Sequence, residues 1–185
     1  MAGSAAPAAA GAALRNGEYM KVLVVSDSHG RNDLLRQAIG QEAPIDLLIH
    51  AGDVEGDLKK ILGEETEYKI KVVAGNMDRS AEVNASLAFD VGAHRVFLTH
   101  GHHYGVHYTA SALVDMAKKC KADVAIFGHT HMPVREKEDG VLLLNPGSIA
   151  KPRQGPDKTY IVIQVDDKTG EWDLKFKKLP RQSWF

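Results

Sequence analysis

Short apolar runs that end in polar, glycine-containing loops constrain the fold of this sequence more than any other feature. The first two runs are KVLVV at residues 21–25 and DLLIH at residues 46–50. Continuous apolar character of this length indicates strands that are buried on both faces. Residues 32–43 between them carry leucine and alanine at helical spacing, and this alternation of strand and helix predicts parallel strands.

The rest of the chain continues an α/β pattern. Asn32 or Asp33 is expected to cap the first helix, because both residue types favour that position. A short helix is expected at residues 54–62 and a longer one at residues 108–121. Further strands are predicted at residues 70–74, 85–89, 95–99, 124–127, 134–138, 141–145, 159–165 and 172–177. Because hairpin-type turns join the last strands, the sequence predicts one α/β domain of two mixed β-sheets, packed face to face with helices outside.

Composition bounds the class of protein. The 185 residues match the size of one domain, and the net charge of −1 gives no bulk attraction to nucleic acid or to an anionic membrane. No apolar run approaches the roughly 18 residues that indicate a membrane span. Cys120 is the single cysteine, which rules out a disulfide framework and favours a reducing, cytoplasmic location.

Residues 1–19 differ in composition from the rest of the chain. They are rich in alanine, glycine and proline, and they lack the basic start and leucine-rich centre of a signal peptide. We interpret them as a disordered extension or a cloning remnant, with Met20 as the natural start. The expected folded domain is therefore residues 20–185.

Five predicted strands end in loops that carry carboxylate, amide or imidazole groups. In sheet-based α/β domains, functional sites lie just beyond the carboxyl ends of strands. Any single loop has an ordinary explanation, because Asp and Asn favour turns and a lone His is usually a surface or core residue. Five such loops together favour a shared site. The loops are SDSHG at 26–30, HAGD at 50–53, GNMD at 75–78, THGH at 99–102 and GHTH at 128–131.

The residue types in these loops suit a transition-metal site. In Asp27-x-His29 and His129-x-His131, residues two apart share a face of an extended backbone, and in a loop they can reach two metals. Asp53 has two carboxylate oxygens and can bridge two ions. Imidazole combined with carboxylate suits Mn, Fe, Ni or Zn better than Ca or Mg. Two ions about 3.5–4 Å apart suit hydrolysis of phosphate esters, because they can hold the attacking and departing oxygens.

The order of the motifs D-x-H, G-D, G-N, H-G-H and G-H-x-H resembles that of the calcineurin-like metallophosphoesterase superfamily. The small size is similar to the branch of compact bacterial and archaeal phosphodiesterases, which also includes the eukaryotic retromer scaffold subunit. The resemblance covers almost all of the chain from Met20. It implies a four-layer α-β-β-α sandwich, in agreement with the strand pattern, and some compact relatives are homo-oligomers.

The resemblance also implies a ligand set for two divalent transition-metal ions, with Mn as the first expectation and Fe, Ni or Zn as alternatives. The first ion would be held by Asp27, His29 and His131, the second by Asn76, His100 and His129, and Asp53 would bridge them. Asp53, Asn76 and His100 are then also the expected catalytic residues. A bridging hydroxide would attack phosphorus, so the expected activity is hydrolysis of phosphodiesters, with phosphomonoesters as secondary substrates.

One position departs from the family pattern. Many members carry histidine directly after the metal-binding asparagine, where it is thought to stabilise the transition state or protonate the leaving group. This chain has Met77 at that position. Because methionine cannot donate a proton, we expect slower hydrolysis or a preference for esters with good leaving groups, such as aryl phosphodiesters.

Further candidates lie beside the predicted ligands. His102 or His103 could partly replace the missing histidine, although a solvent-facing loop residue is the ordinary interpretation of His103. Asp78 could orient a ligand or only form a turn. Arg31 could contact a substrate phosphate or only begin a helix at the surface.

Other polar residues have structural interpretations. His50 is expected to pack and form hydrogen bonds near the site, whereas His94 and His107 are expected to face solvent. The NPGS turn at residues 145–148 follows a strand and could lie beside the metals, although turn formation alone explains it.

Two other functions compete with phosphodiester hydrolysis. A non-catalytic metal-binding or scaffold protein of the same fold, as in the retromer subunit, is favoured by Met77 but disfavoured by the complete ligand set. A nuclease is disfavoured by the near-neutral charge and the missing basic stripe. The sequence therefore predicts a hydrolase whose partner is a small phosphate ester, without a membrane or nucleic-acid partner.

Overall fold

The computed structural model describes residues 19–79 and 82–180. The expected extension lies outside the described residues apart from Tyr19, which is the first residue of a strand. None of the helices within the described ranges combines the length and the apolar character needed to cross a bilayer. The elements are β1 (Tyr19–Val25), α1 (Asn32–Glu42), β2 (Leu47–His50), α2 (Leu58–Leu62), β3 (Lys69–Val72), β4 (Ser86–Val91), β5 (His94–Thr99), α3 (Ser111–Lys119), β6 (Val124–Ile126), β7 (Pro133–Glu138), β8 (Val141–Pro146), β9 (Thr159–Asp166) and β10 (Trp172–Lys178), with a 3₁₀ turn at His102–Tyr104.

The strands form two five-stranded mixed sheets. The first has the order β10-β9-β1-β2-β3, in which β1, β2 and β3 are parallel and β9 is antiparallel to both of its neighbours. The second has the order β4-β5-β6-β8-β7, in which β5, β6 and β8 are parallel and the two edge strands are antiparallel. The predicted pair of mixed sheets is therefore confirmed.

Three apolar clusters separate four layers. Side chains such as Ile49 from the first sheet and Ile126 from the second pack together between the sheets. Leu35 of α1 packs on the outer face of the first sheet, and Leu113 of α3 packs on the outer face of the second. Each fully buried side chain of this kind contributes roughly 1.5–3 kcal/mol, and the predicted α-β-β-α sandwich is confirmed.

The N-termini of α1 and α2 differ from those that the sequence predicted. The difference concerns the cap of α1 and the first residue of α2. The predicted caps of α1 are wrong, because Arg31 occupies the N-cap position and α1 has no side-chain cap. The helix predicted from residue 54 begins only at Leu58, since the backbone of Val54 and Glu55 bonds to neighbouring loops instead. Asp57 caps that helix by accepting the Lys59 N–H at 2.9 Å.

The long predicted helix is also shorter than expected. It begins at Ser111, because the residues before it continue the turn that follows the 3₁₀ segment, where the Tyr108 N–H donates to Gly105 O at 2.9 Å. It ends at Lys119, and Lys121 has a φ of 56°, in the left-handed region that terminates helices.

Candidate metal centre

The polar loops that follow β1, β2, β3, β5 and β6 meet at one edge of the sandwich. Within the first sheet, the Asp27 N–H donates to Gly52 O at 3.0 Å. Within the second, the Gly128 N–H donates to His100 O at 3.1 Å. The His129 N–H donates to Asp27 Oδ2 at 3.2 Å and so joins the loops of the two sheets. Residues more than 100 positions apart are thereby fixed in one site.

Two overlapping groups of ligand-type atoms lie in this site. One consists of Asp27, His29 and His131, and the other of Asp27, Asp53 and His100; the ligand atoms of each lie within 4.8 Å of one another. Asp53 links the two groups. Its Oδ2 lies 3.4 Å from His100 Nε2 in its own group and 3.9 Å from His29 Nε2 in the other. Five of the predicted ligands therefore form one continuous cluster.

Three of the histidines are oriented by hydrogen bonds at Nδ1, the ring nitrogen that points away from the cluster. His100 and His131 place Nδ1 at 2.7 and 2.6 Å from backbone carbonyl oxygens. A carbonyl only accepts, so these Nδ1 atoms carry the hydrogen and the neutral rings present the Nε2 lone pair to the site. His29 Nδ1 lies 2.5 Å from Glu55 Oε1 and is held in the same way. Metal-binding histidines show this arrangement almost without exception.

The inward-facing atoms of the cluster are mutually repulsive in the absence of a cation. The Nε2 atoms of His29 and His131 face each other at 3.2 Å, although both are acceptors in the neutral rings. Asp27 Oδ1 and His100 Nε2 are buried without a hydrogen-bond partner among the described residues. Buried polar atoms of this kind are costly unless paired, and imidazole with carboxylate is a donor set that fits divalent transition metals.

The backbone is strained at the predicted ligands. Asp27, His29, Asp53, His129 and His131 all have positive φ, between 45° and 66°. Such conformations cost on the order of 1–3 kcal/mol each for residues other than glycine and cluster at functional sites. The strained ligands lie in the loops after β1, β2 and β6, where the chain turns sharply at the end of the strand.

A cavity of about 240 Å³ opens beside the cluster. Asn76 is exposed on its wall and His129 is half-buried there. The His129 ring also lies 5.1 Å from the His100 ring, centroid to centroid. The structure thus brings all seven predicted ligands to one edge. The lining residues are His29, Asp53, Asn76, Met77, His129, His131, Lys151 and Arg153.

Burial and neighbouring charges shift the protonation of the cluster. Burial opposes ionisation of Asp53, but the neighbouring His100 imidazole, the Met77 N–H and His29 outweigh it and lower the pKa of Asp53 to about 2. Burial also lowers the pKa of His100, yet the two carboxylates Asp53 and Asp27 leave it raised overall. Burial, followed by the charges of His100 and His107, lowers the pKa of His129 to about 4. His129 is therefore neutral at physiological pH, the form that binds a metal.

Asp78 joins two of the ligand loops. Its carboxylate accepts the Gly75 N–H at 2.8 Å and the Glu55 N–H at 2.7 Å. The first contact closes its own turn, and the second reaches the loop that carries Asp53. The structure therefore places Asp78 where it positions the backbone on both sides of the cavity.

The other two candidates lie farther from the cluster. The Arg31 guanidinium donates to both carboxylate oxygens of Asp33, at 2.9 and 2.7 Å, and Arg31 does not line the cavity. His103 is exposed, with its ring 3.9 Å from the ring of His102. His102 lies closer to the ligands, with its ring 5.4 Å from that of His100.

Of the predictions for two histidines outside the ligand set, one is confirmed and the other is wrong. The prediction for His50 is confirmed: it is fully buried, its Nε2 lies 3.0 Å from Ser28 Oγ, and burial lowers its pKa to about 4. The prediction that His94 faces solvent is wrong. Its Nδ1 lies 2.6 Å from Asp123 Oδ2 and its ring packs 4.8 Å from Trp172, so it joins β5 to distant parts of the chain.

Sequence reasoning did not identify several neighbours of the cluster. Glu55 bonds to His29, and the spacing Asp53-x-Glu55, which matches that of the D-x-H motif, could have indicated it. His107 is exposed as expected, yet its ring lies 4.6 Å from that of His129. No local signal could have shown this, because the chain reaches that position through the 3₁₀ turn.

The chain matches the model of the calcineurin-like phosphoesterase superfamily domain over residues 20–168. It therefore belongs to the calcineurin-like phosphoesterase superfamily, as its motif order indicated. The loops at the ends of β1, β2, β3, β5 and β6 all fall within the matched residues.

Relatives of known name and structure agree with this family. The chain is 35% identical over 149 residues to the probable metallophosphoesterase YsnB of Bacillus subtilis, covering 80% of this chain and 86% of YsnB. It is 28% identical over 171 residues to the phosphodiesterase YfcE of Escherichia coli K12, covering 80% and 89%. The crystal structure of a predicted phosphoesterase from Streptococcus pneumoniae TIGR4 superposes with a TM-score of 0.74 at 30% identity, covering 86% of this chain and 90% of that one. These findings support a phosphoesterase with a metal site.

Proposed function

We propose that this protein hydrolyses phosphodiesters, with some phosphomonoesters as secondary substrates, at a centre of two divalent metal ions. Asp27, His29 and His131 would hold one ion, Asn76, His100 and His129 the other, and Asp53 would contact both. The observation that carries this proposal is the set of inward-facing lone pairs, including the two Nε2 atoms of His29 and His131 at 3.2 Å. The combined carboxylate and imidazole ligands suit a divalent transition metal, and among Mn, Fe, Ni and Zn we propose Mn as the native metal.

The ions would supply an activated water molecule and positive charge for the phosphoryl oxygens. The chain itself orients the ligands: backbone carbonyls hold the Nδ1 atoms of His100 and His131, and Glu55 holds that of His29. Asp53 is held by the Met77 N–H, which donates to its Oδ1 at 2.8 Å. Ligands fixed in this way need little rearrangement when a substrate binds.

Substrates with good leaving groups are the expected preference. The side chain of Met77 is exposed on the cavity wall and cannot donate a proton to a departing oxygen. General acid catalysis commonly contributes 10²–10⁴-fold in rate, so its absence at this position favours aryl over alkyl esters. The name of YfcE, a phosphodiesterase, supports the choice of diesters.

Cellular location is a further part of the proposal. Cys120 is a free, half-buried thiol, and it is the single cysteine of the chain. A chain without a disulfide is typical of a reducing compartment. We therefore propose that the protein acts in the cytoplasm.

Hydrolysis of bis(p-nitrophenyl) phosphate by the full chain with added Mn²⁺ tests this function. The wild type is expected to show turnover that is lost with a chelator and restored by metal. His29→Ala and Asn76→Ala are expected to lose at least about 10²-fold, because removal of an outer partner of a ligand alone commonly costs 10–100-fold. His94→Ala is the matched control, since His94 lies outside the cavity, and its rate should stay within about twofold when thermal unfolding shows it folded.

A wild-type chain that binds Mn²⁺ but shows no metal-dependent turnover would overturn the proposed function. That result would favour the scaffold alternative, in which the same fold and ligands serve no catalysis. Equal loss in His94→Ala and in the two ligand variants would also count against the assignment, because it would trace the loss to folding.

A further inference from the structure

Three residues of the cavity wall have no part in the ligand set. Met77, Lys151 and Arg153 line the cavity together with five of the predicted ligands. All three are exposed. The wall therefore offers an apolar group and two cationic side chains next to the place where a scissile phosphate would bind.

The segment that carries the two cations is anchored to the metal centre. Ser148 Oγ donates to Asp27 O at 2.8 Å and accepts the Lys151 N–H at 2.8 Å. Lys151 O accepts the Nδ1–H of His131 at 2.6 Å, and the Arg153 N–H donates to His131 O at 3.2 Å. The backbone of residues 148–153 is thus tied to the loops that follow β1 and β6, which fixes where both cationic side chains begin.

Neither cation is neutralised within the described part of the chain. No salt bridge or side-chain hydrogen bond joins Lys151 or Arg153 to another described residue. Another cavity, of about 110 Å³ beside Glu42, shows the contrasting case. There Lys21 and Lys177 each lie 3.2 Å from a carboxylate oxygen of Glu42, so both of these cations have an anionic partner.

The charge of the metal centre shows what the cations Lys151 and Arg153 imply about the charge of the substrate. Two divalent ions balanced by the carboxylates Asp27 and Asp53 leave a charge near +2 before hydroxide binds and near +1 afterwards, and either charge attracts the single negative charge of a phosphodiester. Additional cations at the rim are therefore in excess of what a simple diester requires. They suit a substrate whose leaving or retained part carries a second negative charge.

We propose that Lys151 and Arg153 form a subsite for a second anionic group of the substrate, either a carboxylate or a further phosphate. The substrate class is then a phosphate ester that bears this group beyond the scissile phosphorus, with the apolar part between them against Met77. This inference rests on the proposed function of the site. It identifies specificity-determining residues rather than catalytic ones.

Binding of stable phosphonates to the Mn²⁺-loaded full chain tests the subsite. The probes are phenylphosphonate, 4-carboxyphenylphosphonate and 1,4-benzenediphosphonate, which share one ring and differ in the second anionic group. Wild type is expected to bind at least one of the two probes with a second anionic group about five- to tenfold more tightly than phenylphosphonate, since exposed ion pairs to Lys151 and Arg153 are gained. The comparison of the two shows whether carboxylate or phosphate is preferred.

The variant Lys151→Gln/Arg153→Gln is expected to bind phenylphosphonate as the wild type does. It should lose the preference for probes that carry a second anionic group. Lys137→Gln, an exposed lysine of β7 that does not line the cavity, is the control and should keep it. The preference should also weaken at high salt, because exposed ion pairs are screened. Equal wild-type affinity for all three probes, no binding of any, or a preference that survives in the double variant would overturn the subsite.

The two proposals fail separately. A chain that shows the probe preference but does not hydrolyse aryl phosphodiesters retains the anion subsite and loses the proposed function. A chain that hydrolyses the diester but binds all three probes equally retains the function and loses the subsite.

Discussion

Replacement of Asp53 by Asn is expected to lower kcat/KM for bis(p-nitrophenyl) phosphate by about 10³-fold or more. Asp53 is buried, and its Oδ2 faces His100 Nε2 at 3.4 Å and His29 Nε2 at 3.9 Å. The substitution keeps the size but removes one of the two carboxylates of the centre and can turn an NH₂ group towards these lone pairs. Metal-ion charge stabilisation is worth several kcal/mol, and each ~1.4 kcal/mol is a factor of ten in rate.

The measurement combines steady-state kinetics with the Mn²⁺ content of the purified variant. Asp173→Asn is the matched control, because Asp173 is an exposed carboxylate of β10 that pairs with Lys175 at 2.7 Å. That variant should retain full activity and full metal content. An Asp53→Asn variant with activity within tenfold of the wild type would show that this carboxylate does not belong to the reacting centre.

Gly75→Ala is expected to destabilise the fold and to remove metal binding. A Cβ at this position would lie 2.1 Å from Asp53 Oδ1 and 2.4 Å from Asp53 N. The second atom belongs to the backbone and cannot rotate away, so the loops after β2 and β3 must separate. Inserting one methyl group into a packed site commonly costs about 1–3 kcal/mol, and here the displaced residue is a proposed ligand.

Urea unfolding and Mn²⁺ titration measure both effects. Gly40→Ala is the control: it makes the same change on the exposed side of α1, where a Cβ would have no atom within 4 Å. Alanine favours helix over glycine by roughly 0.5–1 kcal/mol, so this variant should be slightly more stable than wild type. Unchanged stability together with unchanged metal affinity in Gly75→Ala would contradict the close packing of the two loops.

The strands and the ligand loops could be predicted from sequence because their signals are local. Residues 22–25, for example, are apolar throughout, since both faces of their sheet are covered. Gly52, Gly75 and Gly128 are also apparent in the motifs, but the reason for them is not local, because each lies against a residue of another loop. Gly128, for example, approaches the first loop so closely that a Cβ would lie 1.9 Å from Ser26 Oγ.

The features that could not be predicted depend on partners distant in sequence. His94 is held by Asp123, 29 residues further on, so its expected exposure could not be corrected from nearby residues. The NPGS turn offers a similar case. Turn formation alone explains its residue types, yet Ser148 donates to Asp27 O, 121 residues away, and so anchors the segment that carries Arg153.

The predicted start of α2 was wrong for a different physical reason. The residues just before α2 favour a helix by sequence, but their backbone groups form hydrogen bonds with the loops that carry the proposed metal ligands. The Gly30 N–H donates to Val54 O at 2.9 Å, and Asp78 accepts the Glu55 N–H. Tertiary hydrogen bonds at the site therefore replace the first turn of the helix, so the site itself sets where α2 begins.

Anomalous X-ray scattering from crystals of the full chain grown with Mn²⁺ tests the two-metal centre most directly. Two peaks about 3.5–4 Å apart are expected at the cavity, one against Asp27, His29 and His131 and the other against Asn76, His100 and His129. The carboxylate of Asp53 should lie between them. A single peak, or metal bound elsewhere with this cluster unchanged, would contradict the account.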